Sequence, residues 1–176
     1  MAKTTWALDP AHSEIQFKIK HMMISTITGE FTKFDASLET EDDDFTQSKA
    51  AFTADVDSIN TKNEQRDGHL KSPDFFDAPG NPQIAFKSEK LEKKDNEHYQ
   101  LSGNLTIKGV SKPVVLQVAH SGVITDPYGN QRTGFEVSGK INRKDFGLTW
   151  HQLTEAGGLV VSDEVRLSAN VEFVKQ

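Results

Sequence analysis

"DEVRLSANVEFV", Asp163 to Val174, repeats with a period of two. Val165, Leu167, Ala169, Val171 and Phe173 fall on one side of an extended chain. Glu164, Arg166, Ser168, Asn170 and Glu172 fall on the other. Successive side chains of a strand point to opposite faces, so this run predicts a long strand with one face buried and one in water.

The same period recurs along most of the chain. In "SEIQFKIKH", Ile15, Phe17 and Ile19 share one face and the charged and amide residues the other. "ITGEFTKFDASL" begins with Ile27, Gly29 and Phe31 in phase and then changes parity to Phe34, Ala36 and Leu38, which predicts a bulge or bend near Lys33. "KAAFTADV" aligns Ala50, Phe52, Ala54 and Val56, and "QIAFKS" aligns Ile84 and Phe86. "YQLSGNLTIKG" puts Tyr99, Leu101, Gly103, Leu105 and Ile107 inward, and "PVVLQVAHSGVI" adds Val114, Leu116 and Val118. A turn of type I composition, "DPYG" at Asp126–Gly129, precedes "GFEVSGKI", with Phe135, Val137, Gly139 and Ile141 inward. These runs predict an all-β chain of about eight antiparallel strands in a single domain spanning residues 1–176. A closed barrel and two stacked sheets fit the alternation equally.

One stretch breaks the period, "TKNEQRDGHLKSPDFFDAPGNP" from Thr61 to Pro82. Thr61 and Glu64 have the spacing of a capping box, which predicts a short helix to about Lys71. Ser72 and Pro73 then open a second turn carrying Phe75 and Phe76. Leu70, Phe75 and Phe76 give this segment, Thr61–Phe76, an apolar underside, and the open end of a barrel is a place to bury it. Arg66, Asp67 and His69 are the residue types of an acid–base site, but at this spacing they do not share one helical face. Arg66 and Asp67 read instead as ties from a helical plug, which also carries His69, to neighbouring strands and loops.

Composition excludes several classes of function. The absence of cysteine removes disulfides, thiolate metal sites and thiol nucleophiles. A net charge of −6, with 20 basic residues scattered among 26 acidic ones, argues against nucleic acid and anionic membrane surfaces as partners. "EDDD" at Glu41–Asp44 lacks the glycine and distal glutamate of a calcium loop and reads as a hairpin tip. None of the six histidines forms a metal-ligand pair by spacing, and no metal or other cofactor is implied. His12 and His21 read as donors to backbone at strand ends. "HSE" at His12–Glu14 lacks the glycine-flanked elbow of a serine hydrolase, and "GNLTIKG" lacks the following helix of a phosphate loop. No run is long enough for a transmembrane helix. The opening residues have no secretory apolar core, so the expected location is cytoplasmic.

Several stretches taken in order carry a resemblance. They are "W-x-L-D-P-A-H-S-E-I-Q-F" (Trp6 to Phe17), His21, "G-E-F" (Gly29 to Phe31), "S-I-N-T" (Ser58 to Thr61) and "R-D-G-H-L" (Arg66 to Leu70). "D-F-F-D" (Asp74 to Asp77), "G-N-L-T-I-K-G-V-S-K-P-V" (Gly103 to Val114) and "R-K-D-F-G" (Arg143 to Gly147) complete the set. On these the chain resembles the YceI family of polyisoprenoid-binding, lipocalin-like proteins over nearly its whole length. The resemblance implies an extended antiparallel barrel whose apolar pore takes a lipid chain, a polyisoprenoid or a prenyl quinone, without catalysis. It brings no established catalytic residue. The inward residues then become expected pore-lining positions: Phe17, Ile19, Phe31, Phe52, Phe86, Leu105, Ile107, Val118, Phe135, Val137 and Leu167. A homodimer is compatible with this reading. Two rivals stand beside it, an enzyme working on a lipid head group through Arg66, Asp67, His69 and His151, and an interaction module with a filled interior.

Overall fold

The computed structural model describes residues 2–22, 24–42, 44–149 and 161–176. Eleven strands and one α-helix occupy them: β1 (Lys3–Leu8), β2 (Glu14–His21), β3 (Ser25–Phe31), β4 (Phe34–Glu41), β5 (Asp44–Asp55), β6 (Ile59–Asn60), α1 (Glu64–Lys71), β7 (Gln83–Lys93), β8 (His98–Ile107), β9 (Val110–Thr125), β10 (Gln131–Asn142) and β11 (Val161–Lys175). All pairings are antiparallel.

The eleven strands fill eight positions around a closed barrel. β1 and β2 are two halves of one wall interrupted by a short 3-10 turn, Pro10–His12, and both pair with the same edge of β11. β3 and β4 form the next wall, broken at Thr32–Lys33, and β5 with β6 the third. β7, β8, β9, β10 and β11 follow in order, and Trp6 opposite Lys175 with Leu8 opposite Phe173 closes the ring. Closure removes the free sheet edges except along one seam, where β5 pairs with β7 only from Ala51 to Asp55. The break at Thr32–Lys33 is where the parity change was expected. Phe31 and Phe34 consequently both turn inward, because two residues outside the ladder shift the alternation.

The sequence reading missed β1. Its anchor is Trp6, 1% exposed, whose indole nitrogen donates to Thr40 Oγ1 at 3.2 Å. Lys108 and Gly109 join β8 to β9 as a two-residue loop with both φ angles positive, the turn that matches strand twist.

The helix runs where expected, but its caps differ from expectation. Asn63, not Thr61, is the N-cap, and its side chain accepts the Arg66 amide at 3.0 Å. Thr61 is drawn away by Asp67, which accepts both its backbone N–H at 2.9 Å and its hydroxyl at 2.5 Å. A short side chain committed to a carboxylate six residues on cannot also cap. Ser72 ends α1 by donating to His69 O, and Pro73–Phe76 form consecutive turns rather than a second helical start. The Phe76 amide donates to Leu70 O at 3.0 Å, folding the two phenylalanines back beneath the helix.

Candidate functional site

Inside the barrel lies a cavity of about 430 Å³, within the size range of small-molecule sites. Its lining follows β11 from Val161 to Phe173, about 40 Å along the strand and roughly 30 Å along a barrel axis at ordinary tilt. Such a volume spread over such a length makes a bore about one hydrocarbon chain wide. All eleven expected pore positions, from Phe17 on β2 to Leu167 on β11, face this cavity. Their register explains it: each occupies the inward parity of its strand, and neighbours such as Phe52 and Phe86 or Phe17 and Leu167 stand opposite one another.

Apolar clusters bound the cavity at both ends. Near α1 the cluster is built on Phe31, Ile59, Phe146 and Leu148, with Leu70 and Phe76 packed against it. At the far end Trp6, Leu38, Phe45 and Phe173 close the floor.

The plug residues divide by role. Arg66, His69, Leu70, Phe75 and Phe76 line the cavity, whereas Asp67 does not. Phe75 is 6% exposed, and the ring of Phe76 meets that of Phe31 edge-on at 6.4 Å. Arg66 donates from Nε to Thr61 Oγ1 at 2.8 Å and from Nη2 to Thr61 O at 2.7 Å. Arg66 and Asp67 therefore converge on one threonine and tie α1 to the end of β6. His69 turns to Asp74 at 3.0 Å and lies against Phe75. From β8–β9, Lys108 Nζ donates to Pro73 O at 3.0 Å and pins the turns that follow the helix. The trio does not assemble as acid, base and anion holder, and His151 and Trp150 lie outside the described residues.

His12 and His21 were expected to bond backbone groups. His12 Nδ1 instead meets Asp9 Oδ2 at 2.7 Å, and His21 lines the cavity. Ser13 donates to Asp9 O and accepts the Glu172 amide, so its hydroxyl is occupied in joining the wall. Asp9, His12 and Glu172 bring possible ligand atoms within 4.8 Å of one another. A guanidinium already stands among them. Arg132 Nη1 is 2.8 Å from both Asp9 and Glu172, and its Nε is 2.7 Å from Asp126. Its own pKa rises through these bonds, Asp126 foremost, and Arg132 in turn holds the Asp126 carboxyl below its usual range. Asp9 is lowered first by His12 and then by Arg132.

Two buried ionisable residues escaped the sequence reading. His120 on β9 is 8% exposed, stacked on Phe135 at 4.6 Å, with Nε2 2.7 Å from Thr133 Oγ1. Desolvation pushes its pKa down. Arg143, 2% exposed, donates to Leu148 O at 2.6 Å and Ser162 O at 2.9 Å, fastening the start of β11. Burial lowers its pKa, and Asp163 pulls in the opposite direction. The signal for both was the register itself. Val114, Leu116 and Val118 extend in phase to His120, and Phe135, Val137, Gly139 and Ile141 extend to Arg143.

The family model described as "YceI-like domain" matches residues 6–173. A UPF0312 protein of Staphylococcus epidermidis is 42% identical over 171 residues, covering 97% of each chain. The crystal structure of the Campylobacter jejuni YCEI protein is 36% identical and superposes with a TM-score of 0.77, covering 89% of this chain and 90% of that one. A polyisoprenoid binding domain from Saccharophagus degradans, described as implicated in plant cell wall breakdown, shares 16% identity. Its TM-score is 0.72 over 97% of this chain and 98% of its own, a likeness of fold alone.

Proposed function

The chain belongs to the YceI-like domain family, and from that premise we propose that it binds and carries a single long apolar lipid, a polyisoprenoid or prenyl quinone, without transforming it. The observation that carries this reading is the cavity: a narrow apolar bore about 430 Å³ in volume running most of the length of the barrel. Each methylene buried there contributes about 0.8 kcal/mol, so a chain of a dozen or more carbons needs few polar contacts to bind tightly. Selectivity then comes from the length and width of the bore. The fold likeness to a protein named for polyisoprenoid binding is consistent with that ligand class.

The noncatalytic part of the reading rests on how the polar groups are used. No aspartate or glutamate is among the described residues lining the cavity, so a carboxylate acid–base pair is not at hand. Asp67 is held by Thr61 and His69 by Asp74. Organic extraction of freshly purified protein followed by mass spectrometry tests the proposal and should yield a long-chain lipid. An empty extract, together with no binding of prenols or prenyl quinones in titration, overturns it.

A further inference from the structure

The turn between β2 and β3 is built from the wrong residues for a turn. It reads Met22-Met23-Ile24, set between the paired residues His21 and Ser25. The Ile24 N–H donates to His21 O at 3.1 Å and closes it. Met22 takes φ +53° there, in the left-handed region that glycine, asparagine or aspartate enters at less cost. The turns after β4, β8 and β9 put Asp42, Lys108 with Gly109, and Gly129 at positive φ instead. Ile24 is 82% exposed and Met22 43%, while Met23 lies outside the described residues. Neither turn geometry nor core packing accounts for this apolar choice.

The tip stands at the α1 end, on the rim of the bore. Ile19 and Ile27 face one another in the hairpin and both line the cavity, as do Phe17 and His21. An apolar track therefore runs from the exposed turn into the lumen. On the other side of β3, β6 reaches only Glu30 and Phe31, so the end of the hairpin outreaches that neighbour. Two residues behind the tip, about 7 Å along an extended chain, Lys20 is exposed opposite Thr26. The turns at the far end of the barrel carry acidic residues instead, among them Asp42, Asp95, Glu97 and Asp126.

We propose that the β2–β3 tip docks transiently on a lipid bilayer, where Met22 and Ile24 enter the headgroup boundary and Lys20 rests among the phosphates. Surface-seeking elements sink about 5–10 Å into that boundary, which matches the spacing from the tip to Lys20. This rests on the lipid-carrying reading above and specifies where the cargo is exchanged. A long apolar chain meets a large barrier in crossing water, and a track continuous from membrane to bore shortens that exposure. Two side chains make a patch far below the roughly 1,000 Å² of a stable protein interface, which argues against a second copy as the occupant. A bilayer needs no matching surface, and weak docking lets a carrier leave.

Co-sedimentation of the full chain with phosphatidylcholine vesicles tests the docking. The parent should bind, and Met22→Ser with Ile24→Ser should weaken binding about tenfold or more, the loss expected when about half the burial of two such side chains is withheld. Ile124→Ser removes a similarly exposed apolar residue at the far end and should change nothing. Ile24→Trp should strengthen binding and shift tryptophan emission to the blue when vesicles are added. In a second arm a fluorescently labelled prenol is offered either from vesicles or from ethanol, and the double variant should slow uptake from vesicles alone. No vesicle binding by the parent, equal losses in the tip and far-end variants, or equal uptake by parent and double variant overturns the proposal. So does a parent dimer that the double variant dissolves while vesicles stay unbound. A prenol taken up from neither source counts against the carrier reading, and co-sedimentation still decides the docking.

Discussion

Phe17 covers Gly29 across the β2–β3 ladder so closely that a Cβ at residue 29 would stand 2.2 Å from Phe17 Cζ. The two residues are directly opposed, and the ring takes the space that the missing side chain leaves. Phe17 also lines the cavity, so this contact sets part of the width of the bore. Gly29→Ala should push the ring toward the lumen, which has room, at modest cost in stability but with weaker lipid binding.

Gly103 supplies the contrast. A Cβ there meets the backbone oxygen of Lys87 at 2.3 Å, opposite the irregularity between Ser88 and Lys90, and backbone cannot swing aside. Gly103→Ala should cost about 1–3 kcal/mol, the usual range for overpacking. Urea melts of both variants beside the parent, with a lipid titration, check the pair. Equal destabilisation by both would contradict the contact assigned to Phe17.

Helix α1 should depend on Asn63 and not on a capping box. Asn63→Ala is expected to lose about 1 kcal/mol, whereas Glu64→Ala should change stability by no more than about 0.5 kcal/mol. Thermal melting of the two variants separates the alternatives, and the reverse ranking would restore Thr61 as the cap.

The turns after α1 should act as a plug. Phe75 is the more buried of the two phenylalanines, so Phe75→Ala should cost about 3 kcal/mol or more and Phe76→Ala less. Both should release bound lipid faster, because contacts that close over a ligand act mainly on dissociation. Melting curves and stopped-flow release measure the two effects. Unchanged values in both variants would place the segment outside the binding role proposed for it.

Acid should weaken the barrel in two steps. Burial favours the neutral ring of His120 and sets its folded pKa below the ordinary histidine value of about 6.5. The unfolded chain therefore binds the extra proton as pH falls past about 6.5, and that part of the stability, complete above it, is lost toward the lower folded pKa. Asp9 and Asp126 have folded pKa values below 3.8, so their contribution is full above that value and lost as pH falls through the lowered ones. His120→Gln keeps a donor for Thr133 but does not titrate. Chemical denaturation from pH 8 to 3 should show the upper step in the parent and a reduced one in the variant.

The sequence determined the strands, their inward faces and the helical interruption. Alternation is a local property: a strand that buries one face must place its apolar residues at every second position, whatever its neighbours are. Thus Phe17, Phe52, Phe135 and Leu167 could be placed inward before any partner was known, and the change of parity near Lys33 announced the break in the wall. The continuation of that register to His120 and Arg143 was equally local, but polar residues at inward positions carry no apolar signal.

Tertiary structure decided what distant segments do to one another. Whether the sheet closes depends on β1 meeting β11, the two ends of the chain, and no local pattern encodes that pairing. Thr61 has the right neighbours for a cap and was taken by Asp67 because the helix packs back on β6. Arg132 binds Asp9, Asp126 and Glu172, which lie on separate segments, so that network exists only once the wall is closed. The cavity is of the same kind. Periodicity dictates that side chains point inward, but whether they meet and fill the interior or stop short around a bore depends on barrel radius and on how bulky residues such as Phe31 and Phe173 are distributed along its axis, which are properties of the assembled sheet.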